Sequence, residues 1–568
     1  MNRGRPILVP EPKKIRFSGR WYNFNGFTNM SSFLMKEFGV SLGRWEIIRE
    51  GVDVDKVYIV VEENRVRFYG DERIAYATIL QLVKQYRDRL PEVEIEEKMS
   101  FRFRGFHLDV ARGGVPTVET LKKILRLLFL LKYNYFALYL EDLFPWNKYP
   151  DIGVLRGRYT EDELREVVEY GLKLGIEVFP SLELCGHMEN ILSLPSYSML
   201  SEWWHPREGV INVIDNRARE FVHNLLEEVL NFFPGRYIHI GGDEVWALGR
   251  GRSLDVTREF RGPQLYEEYY RELINIVRSK GKIPMISGDM IMSAYMREDE
   301  ARYWRKLIES SIWRDTIIVN WDYGVNPKNY FVEKIRILST RGLKQIVAPG
   351  LWNWNRFYPD FITALSNIES FLSAAREEGV EGFLITAWGD DGAECLFSFL
   401  EPLLLASIEI AEGTGEWEDK WVSLIGEDPK VLNVRKIFGK VSTVVHRWRE
   451  YWGIWLPKHV LFKTDILKLV KYYSREDIEK LVPQLEEAIN MSKDVELPPD
   501  LDFMKRFYIA TLKAIKNNIS VQDYIELSNI YTRLWLNERK IQGLDAIIKK
   551  FWGAAGVTRI ENINAQDL

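Results

Sequence analysis

The sequence predicts an α/β protein: a (β/α)8 TIM barrel over residues 99–412, with a small α/β domain before it (1–98) and a helical domain after it (413–568). Three observations carry this reading. Between about residues 100 and 400, short β-branched or aromatic runs alternate eight times with helical stretches, close to the extent expected of such a barrel. The alternation is absent from both flanks. And each of the eight runs ends in acidic, polar or aromatic residues, as the functional end of a barrel should. A doubly wound open sheet is the competing architecture, and eight clean repeats disfavour it.

In order along the chain, Val57–Val61 and Arg65–Tyr69 read as a strand pair with a polar turn between them. Ala75–Leu90 has apolar residues at helical spacing, and Pro91 is expected to end that helix. The barrel strands are expected at Phe106–Val110, Tyr135–Leu140, Glu177–Leu182, Tyr237–Ile240, Ile283–Ile286, Ile317–Trp321, Gln345–Ala348 and Gly382–Ala387. Helices are plain at Val118–Leu131, Glu161–Leu174, Arg217–Phe232 and Leu265–Ser279, with Thr160 and Asp215 as N-caps. Beyond residue 415, amphipathic helices follow at Arg475–Met491, Phe503–Asn517, Tyr524–Lys540 and Leu544–Trp552. Their charged faces read as solvated surface.

Composition narrows the partners. A net charge of −5 over 568 residues, without a long basic run, argues against nucleic acid or an anionic membrane surface. No stretch offers a transmembrane span, and Met1–Arg20 lacks the apolar core of a signal peptide, so a cytoplasmic location is expected. The two cysteines, Cys185 and Cys395, make no disulfide framework, and their pairing with each other stays open. None of the seven histidines has metal-ligand spacing, and neither metal nor cofactor is expected. Nineteen tryptophans suit either sugar platforms or a large core.

The most informative segment is Tyr237–Trp246, YIHIGGDEVW. A strand stops at two glycines, which allow a turn and close ligand approach, and then presents Asp243 and Glu244 side by side. Neighbouring residues point in different directions, so the two acids are poor candidates for a facing nucleophile and acid across a glycosidic bond. They suit one acid that protonates a leaving group and another that steadies a group on the substrate. Capping of a following helix is the alternative role. The other strand ends supply Asp109 and Arg112, Glu141 and Asp142, Glu183 and His187, Asp289, Asp322 with Tyr323, Trp352 with Trp354, and Trp388 with Asp390. That convergence favours an active site.

These residues resemble family 20 of the glycoside hydrolases, the β-N-acetylhexosaminidases. HIGGDEVW resembles the family's H-x-G-G-D-E signature; Arg104–Arg112 (RGFHLDVAR), Asn134–Asp142 (NYFALYLED) and Pro180–His187 (PSLELCGH) resemble its first three strand ends. The likeness covers about residues 1–410 and leaves the C-terminal helices unassigned. It implies exo-acting, retaining, substrate-assisted removal of terminal β-linked GlcNAc or GalNAc from an oligosaccharide or glycoconjugate, through an oxazolinium intermediate. By motif position Glu244 would be the general acid and then base, and Asp243 would orient the 2-acetamido group. Asp142 and His187 would form a relay behind Glu244. Arg104 would hold the 3- and 4-hydroxyls, Tyr323 the acetamido oxygen with Asp322 beside it, and Trp388 the floor under the ring. Trp352 and Trp354 would close the sides or extend toward a second sugar. The chain departs from the family pattern at Asp390, where a sugar-binding Glu is usual, and at Ser287 ahead of Asp289, where a pocket Trp is common; that wall would then be either more open or supplied by Trp321. A barrel glycosidase for a sugar without the acetamido group, a non-catalytic carbohydrate-binding barrel, transglycosylation and a homo-oligomeric state all stay open at this stage.

Overall fold

The computed structural model describes residues 5–53, 56–443, 455–463 and 474–566. Met1 to Gly4, at the start of the segment tested above for a signal peptide, and parts of the expected 413–568 domain lie outside the described residues.

Residues 14–97 build a five-stranded sheet: β1 (Lys14–Asn23), β2 (Glu46–Gly51), β3 (Val57–Glu62), β4 (Arg65–Tyr69) and β5 (Arg89–Glu97), in the order β1-β5-β3-β4-β2. The expected β3–β4 pair is present in antiparallel register. The following helix differs from expectation. It spans Glu72–Tyr86, capped by Asp71, and Pro91 lies inside β5 instead of just beyond a helix. Pro91 sits opposite Trp21 beside a shift in register, a place where a missing ladder donor is tolerated. The β5 run LPEVEIEE alternates apolar and charged residues, and that two-residue period was masked by the helical pattern running into it.

All eight expected barrel strands form: β6 (Phe103–Asp109), β7 (Tyr135–Tyr139), β8 (Glu177–Ser181), β9 (Tyr237–His239), β10 (Ile283–Ser287), β11 (Ile317–Trp321), β12 (Lys344–Ala348) and β13 (Gly382–Ala387). Every pairing is parallel, and β13 closes on β6. The helices between them bury one apolar stripe each. Thr160 and Glu163 make a reciprocal capping box, and Asp215 accepts from the Arg217 N–H. Near the N-terminal ends of the strands the interior is filled by Phe103, Phe179, Met285 and Leu384, with Phe103 stacked on Tyr135 at 4.0 Å. A ligand can therefore enter only at the opposite, C-terminal mouth.

The N-terminal sheet domain seats on the plugged side of the barrel. Its Arg73 donates to the Tyr133 carbonyl, its Gln81 to the Leu130 carbonyl, and buried Glu97 pairs with buried Lys132 at 2.7 Å. After β13, helices from Glu401–Glu412 onward include Pro429–Phe438, Leu456–Phe462, Arg475–Met491, Pro499–Ile515, Val521–Glu538 and Leu544–Gln566. Phe357, on the loop after β12, anchors this helical region by packing on Phe462, Phe507 and Phe551. Among the described residues no helix is long and apolar enough to cross a membrane, and no cluster of His, Cys, Asp or Glu is arranged to hold a metal ion.

Candidate active site

The mouth of the barrel holds a cavity of about 950 Å³. Its walls come from all eight strand ends. Asp243, Glu244, His187, Tyr323, Asp322, Trp321, Trp352, Trp354, Trp388 and Asp390, all singled out from the sequence, line it together.

The paired acids are set by the turn after β9. Gly241 and Gly242 adopt φ of +72° and +107°; an added Cβ would strike the Glu183 carboxyl at the first and the Tyr266 hydroxyl, 2.6 Å away, at the second. Glu244 itself lies at φ +52°, as do Glu141 (+41°), His187 (+49°) and Trp352 (+50°) at other strand ends. Left-handed non-glycine residues cost on the order of 1–3 kcal/mol each and persist only where surrounding contacts over-determine them. Here such contacts exist. The Glu244 N–H donates to Asp289 at 3.0 Å, and the Gly242 carbonyl accepts from Tyr266 at 2.9 Å.

Asp243 is gripped from two sides. Ser287 donates to its Oδ1 at 3.0 Å, and His187 Nε2 lies 3.4 Å from its Oδ2. His239 accepts the Gly241 N–H on Nδ1, which leaves the proton on Nε2, 3.5 Å from the Ser287 hydroxyl. A chain His239–Ser287–Asp243 thus aims the carboxylate. Burial pushes the Asp243 carboxyl up, but the hydrogen bond and charge of His187 outweigh it and hold it well below the ordinary range. Burial lowers the His187 imidazolium, and Asp243 more than reverses this, taking it up to about 9. Glu244 stands at the rim, with 46% of its side chain exposed and its Oε2 3.6 Å from the same His187 nitrogen. The enclosing walls raise its pKa, with His187 opposing and Asp243 adding. Adjacent acids are thereby driven toward opposite protonation states.

The opposite wall is built on Arg112. Its guanidinium meets Asp390 at 2.9 Å, Asp109 and Glu141 at 3.5 Å, and lies over the rings of Tyr139 and Trp388. Trp388 donates to the Tyr323 hydroxyl at 2.8 Å, fixing both rings. A continuous aromatic face runs Tyr295, Trp321, Tyr323, Trp354, Trp352, each ring within 5.2 Å of the next. Trp321, on the strand next to that of Ser287, lines the cavity as part of this face. Lys334 holds this face from behind, donating to Tyr295, to the Trp321 carbonyl and to Asp322, each at 2.8 Å.

Three expectations need correction. Arg104 is not in the pocket. It is the second residue of β6, at the plugged end, and its guanidinium donates to the Lys132 and Phe101 carbonyls; the arginine at the cavity is Arg112, at the far end of the same motif. Asp142 does not back His187. Its Oδ2 lies 2.8 Å from Arg156 Nε in a fully buried position, because successive residues at a strand end point apart and Glu141 takes the side facing Arg112. Asp289 is buried beneath the turn, where it accepts from Glu244 N–H and Trp321 Nε1 and does not form cavity wall. Asp322 touches the cavity, but Lys334 and the Tyr330 hydroxyl already engage its carboxylate. Cys185 and Cys395 are both buried free thiols.

His107, Tyr139, Ser181 and His239 also line the cavity, and the sequence does not single them out as cavity residues. A signal existed. Each is a polar group lining the cavity from a barrel strand, and in a packed barrel such a group on an inward-facing position has reason to be there near the functional mouth. Glu183, also in the wall, is buried beside Asp243; desolvation and that neighbouring charge hold its carboxyl well above the ordinary range.

Residues 101–350 match the catalytic domain of glycosyl hydrolase family 20. A β-hexosaminidase of Porphyromonas gingivalis is 32% identical over 281 residues, 45% of this chain and 34% of that protein. A β-hexosaminidase of Vibrio furnissii is 29% identical over 233 residues, 34% of this chain and 38% of its own length. The chain thus spans little more than a third of these relatives. Among solved structures, a chitobiase of Flavobacterium johnsoniae superposes with a TM-score of 0.58, covering 93% of this chain and 98% of that one at 17% identity, a likeness of fold.

Proposed function

We propose, from the match of residues 101–350 to the catalytic domain of glycosyl hydrolase family 20, that the chain is an exo-acting, retaining β-N-acetylhexosaminidase using the substrate's own acetamido group. The observation that carries this reading is the pair of adjacent acids pushed in opposite directions: Asp243 gripped by His187 and Ser287 and held well below the ordinary carboxylate range, and Glu244 at the rim with its pKa raised by the enclosing walls.

In the proposed reaction a terminal β-linked GlcNAc or GalNAc enters with its ring over Trp388. Arg112, paired with Asp390, meets the ring hydroxyls; its planar fork suits two oxygen acceptors. Glu244 gives its proton to the glycosidic oxygen as that bond to the anomeric carbon breaks. The acetamido oxygen closes on the anomeric carbon, and Asp243 accepts the amide N–H and offsets the positive charge of the oxazolinium. Water then attacks the anomeric carbon, Glu244 takes its proton, and the ring opens to product of retained configuration. The aromatic face of Trp321, Tyr323 and Trp354 encloses the acetamido methyl and excludes competing water.

The test is the rate on 4-nitrophenyl β-GlcNAc beside 4-nitrophenyl β-glucoside, which differ at the 2-position alone. Strong preference for the acetamido sugar is expected. Equal or reversed rates would remove the neighbouring-group mechanism.

A further inference from the structure

The turn after β13 has a backbone that its own sequence does not explain. Asp391, Gly392 and Ala393 lie consecutively at φ of +61°, +93° and +56°, and two of the three are not glycine. On one side this turn carries the cavity wall: Trp388, then Gly389, whose N–H donates to Asp109 at 2.8 Å, then Asp390 on Arg112. On its other side it is met by the C-terminal helices. Lys458 reaches the Asp391 carboxylate, Glu394 Oε2 at 2.5 Å and the Asn355 carbonyl at 3.3 Å. Lys550 donates to Glu394 Oε1 at 2.6 Å and to the Asp391 carbonyl at 2.9 Å. The Tyr531 hydroxyl donates to the Glu394 carbonyl at 2.6 Å.

We propose that Lys458 and Lys550 are positioning residues for sugar recognition, clamping the turn after β13 so that Asp390 meets Arg112; the helical C-terminal region is thereby a working part of the substrate site. Two features set these contacts apart from ordinary domain docking. The two helices that carry the lysines are also anchored by apolar packing of Phe462 and Phe551 on Phe357, which does not need the lysine charges. And a buried ion pair adds little net stability over an apolar pair, because desolvation offsets most of its attraction; the role proposed for this one is to hold geometry. Lys458 is 3% exposed and Glu394 1%, so their charges define one arrangement of the turn. Through Asn355, Lys458 also ties the loop after β12, which carries Trp352 and Trp354, to the loop after β13.

The assignment of Asp390 and Arg112 to sugar hydroxyls rests on the proposed function, so the experiment has two arms. In the first, Lys550→Met and the charge-balanced double variant Lys458→Met/Glu394→Gln are compared with the parent in amide hydrogen exchange of residues 388–396. Exchange should speed by about tenfold or more there, with the Asp243–Glu244 turn unchanged. In the second, KM for 4-nitrophenyl β-GlcNAc should rise about 5- to 30-fold with kcat within about threefold, and Lys550→Arg should restore it. The double variant leaves no lone buried charge, and Lys550→Met leaves Glu394 paired with Lys458, so a cooperative melt is expected of both. Folded variants with parental exchange and parental KM overturn the clamp, as does a fall in kcat with KM unmoved. If the parent hydrolyses neither test sugar, the functional reading fails and the exchange arm alone decides the clamp.

Discussion

Replacing Arg112 and Arg104 separately distinguishes the two ends of one motif. Both are arginines on or just beyond β6, yet one faces the cavity and the other the plugged floor. Arg112→Lys keeps a positive charge near Asp390 and Glu141 but loses the planar fork. A hydrogen bond to a charged group is worth about 1.5–3 kcal/mol. Losing one in the transition state lowers kcat/KM by about 10- to 150-fold, at 1.36 kcal/mol per decade. Stability should change little, because the counter-charge to Asp109, Glu141 and Asp390 remains. Arg104→Met is expected to do the reverse. It strips the donor from the Lys132 and Phe101 carbonyls in a buried site. At about 1–3 kcal/mol for each orphaned group the loss is roughly 2–6 kcal/mol. At about 2–4 °C per kcal/mol for a domain of this size, the melting temperature should fall by at least about 4 °C. Below that melt kcat/KM should stay within about twofold of the parent. Steady-state kinetics on 4-nitrophenyl β-GlcNAc and a thermal melt, run on the same preparations, read both. An Arg104→Met protein that is folded but has lost turnover, beside an Arg112→Lys protein that is unaffected, would refute the placement of the sugar wall.

The paired acids lend themselves to an equally direct comparison. Glu244→Gln should lose about 10²- to 10⁴-fold in kcat while GlcNAc still binds, since only proton transfer is removed; Asp243→Asn should fall strongly on the acetamido sugar, and a negligible effect there would exclude its contact with the amide. The His187–Asp243 pair makes stability depend on pH with a definite sign. The folded imidazolium, raised to about 9 from an unfolded value near 6.5, contributes stability that is whole below about 6.5 and is lost as pH rises through about 9. Melting temperature should therefore decline between pH 7 and 10 more steeply in the parent than in His187→Asn, and parallel curves would show that the pair is not made.

Much of the site was legible because its signals are local. A strand has a two-residue period, a helix one of 3.6, and glycines at a strand end announce a turn; from these alone the eight strands and the positions of Asp243 and Glu244 follow. Strand ends of a closed parallel barrel must converge, so acids and tryptophans far apart in the chain could be assigned to one mouth. What the sequence could not decide was direction. Glu141 and Asp142 are adjacent and both acidic, but the left-handed φ of Glu141 turns one toward Arg112 and the other toward Arg156. Arg104 and Arg112 sit in one nine-residue motif, and only the position of each along β6 relative to the plugged floor separates them. Contacts between distant segments were equally out of reach: Arg112 and Asp390 are 278 residues apart, and the lysines that grip the turn beyond Asp390 lie in helices with no motif at all. Periodicity and turn chemistry are written residue by residue, whereas the aim of a side chain and the choice of its partner are settled only when elements close in space, where burial, charge and backbone strain are balanced together.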